Sequence, residues 1–139
     1  MTILVAPAGR SGSLFVKQLL KRDFPVSLLT NSKKEFARLS RFKHRHVLQV
    51  NTADPDTWTD PGIAVDLVVI FETSPALTWR YVQYCRTWTD SPVHICTKRC
   101  SPIARRRELM ATVHHFIEDL APDRADELIA RLLPERCTV

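Results

Sequence analysis

Eight residues near the amino terminus, Ala6-Pro7-Ala8-Gly9-Arg10-Ser11-Gly12-Ser13, have the composition of a phosphate-binding turn. Glycine lets a backbone approach a pyrophosphate closely, and the first amides of a helix after such a turn offer unpaired donors at the positive end of its dipole. Arg10, Ser11 and Ser13 add side-chain donors. Two glycines three apart also meet purely steric needs between a strand and a helix, so the chemistry depends on what flanks them.

Other constellations carry less. His94-x-Cys96-x-x-x-Cys100, with His114 and His115 further on, lacks the paired Cys-x-x-Cys or helical histidine spacing of a structural zinc, and no metal is expected. No Gly-x-Ser-x-Gly elbow marks a serine hydrolase. Basic clusters at Arg41 to His46, Lys98-Arg99 and Arg105 to Arg107 read as solvated loops or helix starts, and no zinc-finger, RNP or homeodomain pattern supports nucleic-acid binding. The net charge of +5 suits a phosphate-bearing ligand or an acidic partner without choosing between them. The four cysteines are irregularly spaced and fit reduced thiols. No stretch approaches eighteen apolar residues and MTILVAP has no basic region ahead of its apolar run, so neither a membrane span nor a signal peptide is read, and the expected location is the cytoplasm.

The elements that must position the turn follow from apolar periodicity. Thr2 to Ala6 is a short apolar run, and Leu14, Phe15, Val16, Leu19 and Leu20 recur at helical spacing behind the glycines. Further strands are predicted at Val26 to Leu29, Val47 to Val50, Val65 to Phe71 and Val93 to Cys96, with helical segments over Lys33 to Phe42, at Asp54-Pro55 and from Ser74-Pro75 through Trp88. The β-branched run at Val65 to Phe71 belongs in mid-sheet. Such alternation predicts an α/β fold, a Rossmann-like doubly wound parallel sheet of about five strands in the order 3-2-1-4-5, within a single domain spanning 1–139. Residues 102–139 read as a C-terminal helical hairpin, one helix carrying Leu109, Met110, Val113, Phe116, Ile117 and Leu120, the other Ala125, Leu128, Ile129, Leu132 and Leu133. That hairpin covers a sheet edge or offers a face to a second copy or a protein partner.

With strand, glycine turn and helix in this order, the chain resembles the atypical short-chain dehydrogenase/reductase group, in particular its NmrA-like NAD(P)-binding members. Their GxxGxxG appears here as Ala6-x-x-Gly9-x-x-Gly12, with alanine in place of the first glycine. The resemblance implies a bound dinucleotide, with Ala8, Gly9, Arg10, Ser11 and Gly12 at its phosphates. It also implies that Asn31, Ser32, Lys33 and Lys34 read the adenosine ribose; cations there favour NADP over NAD, although two lysines also simply solvate a helix start. Asn51 and Thr52 match the family's adenine-bordering segment, and Asn51 reads equally as a turn former. Phe71 and Glu72 stand on the rim at the end of the fourth strand, where doubly wound folds bind ligands.

Reductases of that group use a Tyr-x-x-x-Lys pair with a serine, the lysine lowering the tyrosine pKa for proton transfer. Tyr81 is followed four positions on by Cys85 and Tyr84 by Trp88, and Thr97 is the sole candidate for the serine's role. The expectation is therefore a dinucleotide binder or redox-sensing regulator rather than a complete reductase. The alternatives are a cofactor-free scaffold acting through protein or nucleic-acid contacts, and a small active NADPH-dependent reductase.

Overall fold

The computed structural model describes residues 2–40, 46–72, 74–97, 113–116 and 122–133. Strand β1 (Ile3–Ala6) runs into helix α1 (Gly9–Lys21), β2 (Val26–Thr30) into α2 (Lys33–Leu39), and β3 (His46–Gln49) into a short 3-10 turn at Pro55–Thr57. Strand β4 (Leu67–Phe71), α3 (Pro75–Arg86), β5 (Val93–Thr97), β6 (Val113–Phe116) and α4 (Pro122–Leu132) complete the chain.

All strands are parallel and lie in the order β3-β2-β1-β4-β5-β6. The first five follow the expected 3-2-1-4-5 order of a Rossmann-like fold. Their composition explains their place: β1 and β4 read ILVA and LVVIF, every residue of both is buried, and a strand covered by helices on each face has no polar side to show. One apolar layer joins Phe15, Val16 and Leu19 of α1, Leu39 of α2 and Leu128, Ile129 and Leu132 of α4, with Leu133 just after it, to one face of the sheet. The other joins Tyr81, Val82, Tyr84 and Cys85 of α3 to the opposite face, with Trp58, Ile63 and Trp88 packed at its margin.

The C-terminal region departs from the expected hairpin. Val113–Phe116, assigned above to a helix, is instead β6, paired with β5 from His94↔Val113 to Thr97↔Phe116. A four-residue segment carries too few periods to separate helix from strand, and the open edge of β5 offers it a complete ladder of backbone partners. The second helix is present and begins at Pro122. Its apolar stripe is buried in the chain's own core against α1, so that stripe is not an exposed partner face. Within 102–139, residues 102–112, 117–121 and 134–139 lie outside the described residues, as do the basic clusters at 41–45, 98–99 and 105–107.

Burial pushes the Cys85 and Cys96 thiols from the ordinary 9.0 up to about 12. Desolvation also raises the Tyr81 and Tyr84 hydroxyls above 10.0. The unfolded chain releases these protons at the ordinary values while the folded chain retains them, so stability is full below about pH 9 and falls as pH rises from about 9 toward 12. Urea unfolding is expected to show a lower midpoint at about pH 10.5 than at about pH 8, and Cys85→Ala with Cys96→Ala to flatten part of that difference.

Candidate functional site

The site begins where β1 ends. Ala6 is the last strand residue, only 2% exposed and in register with Ile70 of β4, so the turn proper starts at Pro7. This shifts the frame of the glycine motif: Ala6 belongs to the strand, and the fingerprint G-x-G-x-x-G is represented as Pro7-x-Gly9-x-x-Gly12. Gly9 adopts φ +63°, a conformation that suits glycine, and a Cβ placed there would meet nothing within 4 Å. Gly12 does the opposite work. A Cβ on it would lie 3.0 Å from Pro7 Cα and 3.1 Å from Pro7 C, so only glycine lets the first turn of α1 press this closely on the chain leaving β1.

The N-terminal end of α1 is open. Its cap residue is Ala8, in extended conformation, with no side-chain hydrogen bond, and no acidic residue stands in the first turn. By contrast Ser32 caps α2 by accepting from Glu35 N–H at 3.2 Å, and Ser74 caps α3 by accepting from Leu77 N–H at 3.1 Å. The first-turn amides of α1 have no intrahelical acceptor and, with the helix dipole, favour an anion at this end.

This turn forms one wall of a cleft of about 770 Å³ above the carboxyl ends of β1 and β2. Pro7, Ala8, Gly9, Ser13 and Lys17 line it from the α1 side, Thr30, Asn31, Ser32, Glu35 and Arg38 from β2 and α2, and Leu77 and Tyr81 from α3. The chain order reverses beside β1, whose neighbours β2 and β4 lead to helices on opposite faces, and such a switch point is where doubly wound sheets hold ligands.

Of the residues singled out from sequence, the cleft brings together Pro7, Ala8, Gly9, Ser13, Asn31 and Ser32. Ser11 and Gly12 lie in the first turn of α1 behind it, as does the backbone of Arg10. Lys33 and Lys34 are exposed at the start of α2 and are not among the lining residues; the cations that line the cleft are Lys17 and Arg38. Asn51 turns the chain after β3, its Oδ1 accepting from Ala53 N–H at 3.1 Å and its carbonyl from Trp58 Nε1 at 2.8 Å; neither it nor Thr52 lines the cleft. Phe71 is 1% exposed and packs its ring on Phe15 with centroids 5.4 Å apart, so it supports α1 from within the core. Glu72 stands on the rim with its carboxylate accepting from the Thr97 hydroxyl, which joins the ends of β4 and β5.

Several cleft residues were missed by sequence reading. Lys17 follows Ser13 by four positions and so shares its helical face, a readable signal. Ser32-x-x-Glu35 has capping-box spacing, also readable. Thr30 and Tyr81 left no such trace. Tyr81 comes from the opposite side of the sheet, 50 residues away, and its hydroxyl accepts the Asn31 N–H at 3.0 Å while lying 3.3 Å from Asn31 Oδ1. Among the described residues no group of three or more His, Cys, Asp or Glu is placed to hold a metal ion.

No family model matches the chain. It is 25% identical over 138 residues to the Trk system potassium uptake protein TrkA of Haemophilus influenzae, and it spans 30% of that relative's length. Among solved structures it resembles the TrkA-N domain of the inner membrane protein ybaL from Escherichia coli, at 16% identity and TM-score 0.60, covering 98% of this chain and 95% of that one. It resembles the NAD(P)-binding domain of an exopolyphosphatase-related protein from Archaeoglobus fulgidus at 14% identity and TM-score 0.62, covering 99% and 98%. The GsuK channel bound to NAD gives 13% identity and TM-score 0.62, covering 84% of this chain and 21% of that one. These likenesses establish the fold as the Rossmann-like one of NAD(P)-binding domains. No described helix is long and apolar enough to cross a membrane.

Two substitutions probe this geometry. Gly12→Ala forces Pro7 outward and is expected to cost about 1–3 kcal/mol by urea unfolding. Tyr81→Phe removes the acceptor of the Asn31 amide and is expected to cost about 1–2 kcal/mol, with hydrogen exchange quickened most at Asn31.

Proposed function

We propose that this chain is an NAD(P)-binding domain that prefers NADP(H) and acts as a binder or redox-sensing regulator in the cytoplasm rather than as a complete reductase. The observation that carries the reading is the uncapped start of α1. Gly9 there is left-handed with empty space where its side chain would be, and the helix opens directly onto the cleft. A pyrophosphate bridging those amides would place its adenosine half over β2, among Thr30, Asn31 and Ser32.

Charge supports the phosphorylated form. Lys17 and Arg38 line the cleft, Lys33 and Lys34 stand beside it, and the single carboxylate on its wall, Glu35, is paired with Arg38 at 2.6 Å. No acidic side chain ends β2, where an NAD reader places one. The absence of a Tyr-x-x-x-Lys pair favours binding over turnover, and Tyr81 is engaged at the ribose end of the cleft rather than at the rim formed by Glu72 and Thr97. The likeness to the solved GsuK channel bound to NAD supports a nicotinamide dinucleotide as the ligand.

Titration with NADPH and with NADH, followed by the fluorescence of the three tryptophans or by calorimetry, tests the reading. Saturable binding of NADPH tighter than NADH is expected, and absence of binding of either at millimolar concentration would remove the proposal. Gly9→Ala should weaken NADPH about tenfold or more, because its methyl enters the phosphate space. Gly62→Ala, at φ +74° with equally open surroundings but remote from the cleft, should introduce similar strain and leave affinity unchanged within about twofold.

A further inference from the structure

In a dinucleotide site of this geometry the carboxyl end of the second strand reads the ribose, with a carboxylate for a free 2′-hydroxyl or a cation for a 2′-phosphate. Here the protein itself occupies that end. Thr30 Oγ1 accepts the Ser32 N–H at 3.1 Å, and the Asn31 N–H donates to the Tyr81 hydroxyl at 3.0 Å. The charged side chains that line the cleft from this side therefore lie further on, at Glu35 in the first turn of α2 and Arg38 in its last.

Those two are bound to each other. Arg38 gives Nη2 to Glu35 Oε2 at 2.6 Å and Nε to the same oxygen at 3.2 Å. In a capping box the Glu35 carboxylate would turn back to the Ser32 N–H, but Thr30 already accepts that donor. Glu35 is thereby left to Arg38. Their side chains are 46% and 58% exposed, and an ion pair so open to water is weak enough for a stronger anion to displace.

We infer that the Glu35–Arg38 pair is an internal competitor that sets selectivity at the 2′ position: Arg38 is the cation for a 2′-phosphate, and Glu35 holds that guanidinium until a phosphate replaces it. The guanidinium fork can exchange one carboxylate oxygen for two phosphate oxygens without leaving the cleft wall, and the dianion forms the stronger charge-assisted bonds. A ligand with a free 2′-hydroxyl has no means to break the pair. This rests on the reading of the cleft as a dinucleotide site.

Dissociation constants for NADPH and NADH, measured on the intact chain and on single variants, separate the two claims. Glu35→Gln is expected to tighten NADPH about threefold to tenfold by releasing Arg38, with NADH changed by less than about twofold. Arg38→Gln is expected to weaken NADPH about tenfold with NADH again nearly constant, and Arg38→Lys to fall between, since it keeps the charge and loses the fork. The NADH constant doubles as the control for folding. Binding of both nucleotides with an unchanged ratio in Glu35→Gln, or an equal loss of both in Arg38→Gln, would overturn this inference and leave the dinucleotide reading standing. Failure of the unaltered chain to bind either would remove the reading itself.

Discussion

Strand β1 is hydrogen-bonded along both edges, to β2 and to β4, and covered on both faces, so the chain must leave the sheet at Ala6 and at once send a helix back across it. Only then can Phe15, Val16 and Leu19 cover the apolar face that β1, β2 and β4 present. The reversal is possible because Gly12 has no Cβ and can lie against Pro7. The position of α1, the seat of α4 upon it, and the cleft above the strand ends all follow from that one close approach.

The same constraint leaves the start of α1 uncapped. A helix started this abruptly from a strand has Ala8 as its cap, which offers no oxygen to its first amides. The left-handed Gly9 keeps the space before them clear. The close approach and a helix end of the kind that favours anions thus reside in the same few residues.

Across the cleft the two faces of the sheet meet. Tyr81 belongs to α3 on the far face, yet its hydroxyl reaches the end of β2 and fixes Asn31. Burial raises the pKa of that phenol, which suits a structural donor and acceptor rather than a proton shuttle. The strand end is accordingly hydrogen-bonded within the chain, whereas the charged pair on α2 is exposed to water. Selectivity is more readily placed in the second kind of group, because replacing a solvated ion pair costs less than breaking partly buried hydrogen bonds.

From the sequence alone the alternation of apolar runs, the β-branched run ending at Phe71 and the glycines behind the first strand determined five strands, their order and the place of the glycine turn, since these rest on local periodicity and backbone freedom. Val113–Phe116 escaped because four residues do not distinguish a helix period from a strand, and only the open edge of β5 made them a strand. Lys33 and Lys34 were expected at the ribose from the resemblance and their charge; the direction of α2 leaves them outside the cleft lining and brings Glu35 and Arg38 into its wall. Tyr81 became a site residue through a contact across 50 positions, and Phe71 became a core residue through its ring contact with Phe15. Such roles are set by which face of the sheet each helix covers and how far its side chains reach around the strand ends, and that is decided only when the layers are assembled.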